Sequence, residues 1–285
     1  MLTMAPDAPT AIDSDLARWL ERSEALAFAR LTAAAERTPG NPAGASRLEI
    51  GGGVAVASEV SKDIILFDRA LAFGFDEPLT EETVEAVAAF FRDRARPRSS
   101  IQLAPAVATP EAVGWLRDRG YVPGRRWVKL WHDLQALPVM RSSLRVERID
   151  AARADDFVAI GLEVFELASS LDPFLRAVIG RPGWSHYLAY DADRPVATAA
   201  MSVFDDVAWF GFGATLEEAR GRGGQSALFT ARLRDAADLG CRWAVVETGE
   251  ETEEFPVNHS YRNMVRAGFH LAYARQNYNR VVDLG

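Results

Sequence analysis

The stretch that decides the fold is Arg220-Gly221-Arg222-Gly223-Gly224-Gln225, between a predicted strand at Val207–Thr215 and a predicted helix at Gln225–Leu239. Three glycines in four positions allow the backbone to approach a ligand closely. The first amides of a helix point outward without partners, and the helix dipole there favours an anion. Two arginines add permanent positive charge. A strand, a Gly/Arg turn and a helix in this order predict a cradle for a pyrophosphate.

The turn differs from two common phosphate-binding sequences. It lacks the Gly-Lys-Ser/Thr ending of a Walker A loop and the G-x-G-x-x-G spacing of a dinucleotide-binding turn. As a bare motif, a flexible surface loop explains it equally well. Its position between a strand and a helix favours the anion site.

The elements after the turn carry a family resemblance. A strand is predicted at Arg242–Thr248, and Asn258 precedes a predicted helix that ends in Gly268-Phe269. With these blocks, Leu144–Gly285 resembles the GCN5-related N-acetyltransferases (GNAT), whose signature after the fourth strand is Arg/Gln-x-x-Gly-x-Gly/Ala. Arg220 and Gly223 match this signature, and Gln225 departs from its last position.

The resemblance implies an acetyl-CoA cosubstrate held between the fourth and fifth strands. It implies that the end of the fourth strand pairs with the pantetheine amide and that the Gly/Arg turn holds the pyrophosphate. The asparagine-containing helix is expected to approach from the other side. In that order, the expected cofactor-binding residues are Ala214, Thr215, Arg220, Gly221, Arg222, Gly223, Gly224, Gln225, Ser226, Asn258, Arg262 and Asn263.

Direct acetyl transfer needs a neutral amine, a proton acceptor and stabilisation of the carbonyl oxyanion. Glu247 is the predicted base, because partial burial at a strand end raises a carboxyl pKa; a solvent-facing carboxylate is the alternative. The family's usual tyrosine position is Met264, so Tyr261 and Tyr273 are the candidate acids, with packing as the alternative for each. The acidic run 250–254 is either a solvated loop or an attractor for a cationic amine.

The first half of the chain ends like the second, with a strand, a helix, a Gly-aromatic pair and a strand. The pairs Gly120-Tyr121 and Gly268-Phe269 lie 148 residues apart, which indicates two copies of one unit, although coincidence is the alternative. In place of the phosphate turn stands Gly74-Phe75-Asp76-Glu77-Pro78, whose carboxylates repel a pyrophosphate. We therefore expect a non-catalytic copy that supports the second half or walls its substrate site; a second working site is the alternative.

The predicted fold class is α/β (α+β): two tandem GNAT-like domains, each a mixed, mostly antiparallel twisted sheet flanked by helices. In the first domain, strands are predicted at Leu48–Ser58 and Ile64–Phe73. The predicted divisions are a flexible leader (1–14), a degenerate GNAT-like domain (15–134), a linker (135–143) and a catalytic GNAT domain (144–285).

Composition narrows the function further. The 285 residues include 40 acidic and 32 basic side chains, so the formal charge of -8 excludes a global basic field for nucleic acid. The single cysteine, Cys241, excludes an intrachain disulfide and a multi-cysteine metal site, and no metal is expected. No apolar run approaches the ~20 residues of a membrane helix. We expect a cytoplasmic monomer or homodimer without nucleic-acid or membrane partners.

The predicted reaction is transfer of an acetyl group from acetyl-CoA to a primary amine in a ternary complex, without an acyl-enzyme. A small-molecule amine is favoured because the second domain should narrow the site. The alternatives are a protein or peptide N-acetyltransferase, a non-catalytic CoA-binding sensor, and transfer of a longer acyl group.

Overall fold

The computed structural model describes residues 14–61, 65–138 and 142–282. Most of the predicted leader (1–13) and the middle of the predicted linker (139–141) lie outside the described residues. Helix α1 begins at Ser14, the residue at which the predicted leader ends.

The elements follow the sequence closely. Thr80 and Thr109 cap their helices by accepting from the backbone N–H groups of Thr83 and Ala112. None of the helices in the described ranges has the length and apolar character to cross a membrane. The α-helices are α1 (Ser14–Glu36), α2 (Glu81–Asp93), α3 (Pro110–Asp118), α4 (Ala154–Val164), α5 (Asp172–Arg176), α6 (Gly224–Asp238) and α7 (His259–Arg266). The strands are β1 (Ala45–Ile50), β2 (Gly53–Ser58), β3 (Arg69–Leu71), β4 (Arg98–Leu103), β5 (Val122–Pro123), β6 (Trp127–His132), β7 (Arg145–Ile149), β8 (Trp184–Asp191), β9 (Arg194–Phe204), β10 (Val207–Thr215), β11 (Trp243–Gly249) and β12 (His270–Val281).

Two predicted strands of the first half are wrong in detail. The segment Leu48–Ser58 is not one strand, because Gly51 and Gly52 adopt φ values of +57° and +71° and turn the chain between β1 and β2. In the described part of the second segment, residues 65–73, only β3 is strand; a 3-10 turn precedes it and buries Phe67.

The strands form one continuous sheet in the order β1-β2-β3-β4-β12-β6-β11-β10-β9-β8-β7. The pairs β3–β4 and β10–β11 are parallel, and the other described pairs are antiparallel, so the predicted mixed, mostly antiparallel sheet is confirmed. The last strand of each half lies in the sheet of the other half. Strand β6 lies between β11 and β12, and β12 continues along β4. The two halves therefore exchange their final strands.

The exchange follows an internal twofold relation. Trp127 and Arg275 are register partners across β6 and β12. They lie 148 residues apart, the same spacing as between Gly120 and Gly268. Equivalent positions of the two halves thus face each other in the middle of the sheet, as expected for two copies of one unit.

Helix α1 is shared by both halves. It lies on one face of the sheet, contacts strands from β1 to β11 and packs beside α5. Its apolar residues, such as Leu20 and Phe28, join one core with α4, α5 and β10. The opposite face is covered by α2 and α3 in the first half and by α6 and α7 in the second.

Candidate functional site

A wedge opens between β10 and β11. These strands pair only from Val207–Trp209 to Trp243–Val245 and then separate. The register of β10 against β9 shifts between Gly211 and Ala214, and Phe212 within this bulge has a φ of +53°. Because a bulge bends its strand, it directs the end of β10 away from β11. The carboxyl ends of two neighbouring parallel strands therefore diverge beyond Trp209 and Val245.

The Gly/Arg turn follows the open end of this wedge. Gly221 (φ +79°) and Gly223 (φ +81°) use backbone conformations that favour glycine, and Gly223 is the N-cap of α6 without a side-chain cap. A Cβ on Gly221 meets open space, whereas one on Gly224 meets Ala197 at 3.3 Å. Two glycines thus shape the turn, and the third lets α6 pack closely on β9. The first amides of α6, including that of Ser226, face the same turn as its two arginines, so the residues fit an anion.

The two arginines of the turn differ. The Arg222 guanidinium donates to both carboxylate oxygens of Asp191, with 2.7 Å between Nη2 and Oδ1. Asp191 raises the pKa of Arg222 and offsets its charge. Arg220 is exposed and forms no ion pair with any residue in the described ranges. Arg220 therefore carries the uncompensated positive charge of the turn.

The departure at Gln225 has a structural role. Its Nε2 donates to the carbonyl of Ala214 (3.1 Å) and to Oγ1 of Thr215 (3.0 Å). The side chain thus ties the first turn of α6 to the end of β10. It also binds a carbonyl that the resemblance assigns to the pantetheine amide, so a ligand there has to share or displace this contact.

Asn258 borders the wedge from the side of β11. Its Oδ1 accepts from the backbone N–H of Tyr261 and caps α7. Its Nδ2 donates to Oγ1 of Thr248 (3.1 Å) and to the carbonyl of Gly249 (2.6 Å). The side chain therefore joins the end of β11 to the start of α7, and both the oxygen and the nitrogen of its amide are already hydrogen-bonded.

The acidic run after β11 is partly neutralised. Arg126 forms two hydrogen bonds of 2.8 Å with the carboxylate of Glu250. Arg262 donates to Oε1 of Glu251 at 2.9 Å, and Asn263 accepts from an arginine one turn later on α7. The ion pairs of Glu250 and Glu251 weaken the predicted negative potential at the mouth of the site.

Glu247 lies in a buried group of ionic side chains beneath α1, where the two halves meet. The group contains three carboxylates and three cations and is therefore balanced in charge. The side chain of Glu247 is 10% exposed, and those of the other ionic members are at most 2% exposed. This junction cluster comprises Glu21, Glu24, Arg69, Gln102, Lys129, Glu247, Tyr273 and Arg275.

Cations hold both carboxylate oxygens of Glu247. Oε1 accepts from Arg69 Nη1 at 2.9 Å, and Oε2 accepts from Arg275 Nη2 at 2.5 Å and lies 3.5 Å from Lys129 Nζ. Burial raises the pKa of Glu247, and the negative charge of Glu24 raises it further. The three cations lower it, but the net shift is upward. Burial also disfavours the charge of Glu24, but the same cations lower its pKa well below the usual value. Glu247 is thus the carboxylate of this pair that takes up a proton more readily.

The twofold relation singles out Glu247. Its register partner is Lys129, and the equivalent pair in the other half is Gln102 with Asn277. Gln102 Nε2 donates to Asn277 Oδ1 at 2.7 Å. The position of Glu247 in the second half is thus occupied by the amide of Gln102 in the first. An amide does not act as a proton acceptor at neutral pH.

The candidate acids lie on opposite faces of the sheet. The Tyr273 hydroxyl donates to Glu21 Oε1 at 2.9 Å, and burial together with Glu21 raises the Tyr273 pKa well above its ordinary value. Tyr261 is half-buried against the core beneath α6 and α7, which also contains Met264. Tyr273 thus shares the face of Glu247, and Tyr261 does not.

The first half has a similar backbone feature, but its turn carries acidic side chains in place of the arginines. Ala72, directly after β3, has a φ of +64°, and Phe212 in the bulge of β10 has a similar φ of +53°. In the turn that replaces the phosphate cradle, Asp76 accepts from Arg18 and Arg22 of α1. Asp76 thus pairs with two cations of α1. This turn therefore binds α1 and presents no free positive charge to a ligand.

Sequence patterns alone do not identify five ionic members of the junction cluster. Two signals pointed to them. Glu21 and Glu24 stand on the apolar face of α1 between buried positions, and Lys129 interrupts an apolar strand in a chain with two lysines. No group of His, Cys, Asp or Glu within the described residues is arranged to hold a metal ion. The missed ionic residues are Glu21, Glu24, Arg69, Lys129 and Arg275.

Solved structures share this fold. A GCN5-related N-acetyltransferase from Kribbella flavida aligns over 92% of this chain and 95% of its own, with a TM-score of 0.59 and 19% identity. Another from Sphaerobacter thermophilus aligns over 93% and 94%, with a TM-score of 0.59 and 15% identity. A tandem GNAT protein from the clavulanic acid biosynthesis pathway covers 98% of both chains, with a TM-score of 0.57 and 14% identity. No protein-family model and no curated protein matches the sequence. The chain therefore has the tandem GNAT fold, as its sequence predicts.

Proposed function

We propose that this chain transfers an acetyl group from acetyl-CoA to a primary amine, most suitably that of a small molecule. One juxtaposition carries the proposal: an anion cradle follows β10 and a buried carboxylate stands on β11, where these two strands diverge. Glu247 lies two residues beyond the last β10–β11 pair, near the narrow end of the wedge, and the Gly/Arg turn follows its open end. Ala214, Thr215, the backbone of residues 220–226 and the side chain of Arg220 would hold the cofactor, with Asn258, Arg262 and Asn263 on the other side.

In the proposed step, the amine nitrogen attacks the thioester carbonyl carbon in a ternary complex. A C–N bond forms, the C–S bond breaks, and the sulfur leaves with the bonding electron pair. The amine proton passes to the Glu247 carboxylate, whose raised pKa makes it a stronger base than an ordinary carboxylate. Tyr273, on the same face of the sheet, is the better placed candidate to protonate the sulfur, and Tyr261 is the second candidate.

The cofactor site is tested by calorimetry with acetyl-CoA. Replacing Arg220 and Arg222 together by Glu reverses the charge of the turn and is expected to abolish binding. The matched control is the double change Arg148→Glu with Arg234→Glu, which alters net charge equally at two exposed positions outside the turn. Unchanged binding in the turn variant contradicts the assigned site.

The reaction is tested by thiol release from acetyl-CoA across a panel of small amines and peptides. Turnover with small amines supports the proposal, and turnover confined to peptides supports a peptide acceptor. Glu247→Gln is expected to bind acetyl-CoA and to lose most of the turnover, by about 100-fold or more. A CoA-binding sensor is the second candidate, because both oxygens of Glu247 are already bonded to cations; binding without thiol release for any acceptor supports it.

A further inference from the structure

Arg69 is a buried arginine of the first half whose guanidinium reaches the second. Its side chain is 1% exposed, and Nη1 lies 2.9 Å from Glu247 Oε1 and 3.2 Å from Gln102 Oε1. Nη2 lies 2.7 Å from Glu24 Oε1, and the guanidinium stacks 4.0 Å above the ring of Phe28. Contacts on three sides therefore hold this cation against Glu247.

The second half does not supply such a cation at its own equivalent position. Arg69 stands three residues before Ala72, and Trp209 stands three residues before Phe212, in matching parallel strands. The Trp209 indole is buried, and its Nε1 has no hydrogen-bond partner among the described residues. Oε1 of Glu247 therefore receives its cationic donor from the other half.

The surrounding charges leave Arg69 a distinct role. Arg275 and Lys129 both lie on the Oε2 side of Glu247, whereas Oε1 accepts from Arg69. We propose that Arg69 is a positioning residue for Glu247, so that the first half completes the acyl-transfer site of the second. This inference rests on the proposed function. The titratable and charged groups that face Glu247 are Glu21 and Glu24 on α1, Arg69 on β3, Lys129 on β6, and Tyr273 and Arg275 on β12.

The test follows the Glu247 carboxyl group directly. Proteins with carbon-13 in the glutamate carboxyl groups are titrated by NMR, and the Glu247 signal is assigned by its loss in Glu247→Gln. An adjacent cation lowers a carboxyl pKa by about 1–3 units. Arg69→Met is therefore expected to move the Glu247 midpoint upward by about that amount, and Arg69→Lys by less than half as much.

Two controls separate positioning from general damage. Arg96→Met removes another buried arginine of the first half, one that pairs with Asp68 and does not touch Glu247; it is expected to leave the midpoint unchanged. Arg69→Met with Glu24→Gln preserves the charge balance of the junction cluster. If Arg69→Met alone does not fold, this double variant is compared with Glu24→Gln alone, and the same upward shift is expected.

A second readout ties the residue to the reaction. With an amine that the wild type accepts, the acid limb of the kcat/KM profile is expected to move with the Glu247 midpoint in Arg69→Met and to return with Arg69→Lys. An unchanged midpoint in a folded variant overturns the proposal, as does an equal shift in Arg96→Met. If the wild type releases no thiol with any acceptor, the proposed function fails, and the titration still decides whether Arg69 governs Glu247.

Discussion

Gln102 and Glu247 lie on strands from different halves and accept hydrogen bonds from the same two arginines, Arg69 and Arg275. The twofold relation thus brings both copies of one position to a single pair of donors. Only one copy carries a charge, and the three carboxylates and three cations of the junction cluster balance for that reason. The charge balance of the cluster therefore depends on the neutral side chain of Gln102 as much as on the charge of Glu247.

We predict that Gln102→Glu destabilises the protein. The change adds a fourth carboxylate to a balanced buried group, and an uncompensated buried charge costs about 3–5 kcal/mol. The new carboxyl group should have a raised pKa in the folded state, so the lost stability returns as pH falls through that pKa. Urea unfolding at pH 8 and pH 5 measures this, with Gln102→Met as the uncharged control; equal losses at both pH values contradict the electrostatic cause.

His186 is predicted to contribute to acid unfolding. It stacks on Trp184 and contacts Phe157, and burial lowers its pKa from 6.5 to about 4. The unfolded chain therefore binds a proton first, and stability is lost as pH falls from about 6.5 to 4, by about 3 kcal/mol in total. His186→Phe should remove this part of the pH dependence. Parallel unfolding free energies of both proteins across that range contradict the prediction.

The two arginines of the turn are predicted to contribute unequally to cofactor binding. Arg222 is paired with Asp191, whereas Arg220 is free of ion pairs in the described part of the chain. Arg220→Ala should therefore weaken acetyl-CoA binding about tenfold, and Arg222→Ala about twofold. Calorimetry on the two single variants measures this difference. The reverse order contradicts the assignment of Arg220 as the free phosphate contact.

Gln225→Ala is predicted to strengthen acetyl-CoA binding while weakening the fold. It frees the Ala214 carbonyl for the pantetheine amide and restores the small residue of the GNAT signature. The loss of two hydrogen bonds should lower the free energy of unfolding by about 1 kcal/mol. Affinity should rise about two- to fivefold, measured by calorimetry beside a urea titration. Weaker binding shows instead that the Gln225 amide itself holds the cofactor.

The sequence was sufficient for local features of the fold. The Gly/Arg turn lies where predicted because glycines with positive φ and a helix start are encoded within a few residues. The same is true of the capped helices at Thr80 and Thr109. The hairpin at Gly51-Gly52 is not predicted, because the apolar residues on both sides of it have the pattern of one continuous strand.

Long-range pairing was not predictable in this way. The periodicity of β6 shows a buried strand, but nothing in it says that the neighbour is β11 from the other half. The partners of Glu247 come from three separate strands, so their convergence depends on that exchange. The predicted site residues Glu247 and Tyr273 do share one cluster. The cations that surround them are evident only from the structure.

The exchange of final strands has a consequence for the order of folding. Strand β4 can acquire its second neighbour only after residues 270–281 have been synthesised, and β11 needs a strand made long before it. Neither half of the sheet can be completed by itself on a nascent chain, and until both halves are made their open strand edges are exposed to other molecules. Such long sequence separations slow folding. The chain should therefore reach its native state in one late, concerted step, and destabilising changes near β6 or β12 should cause aggregation during synthesis.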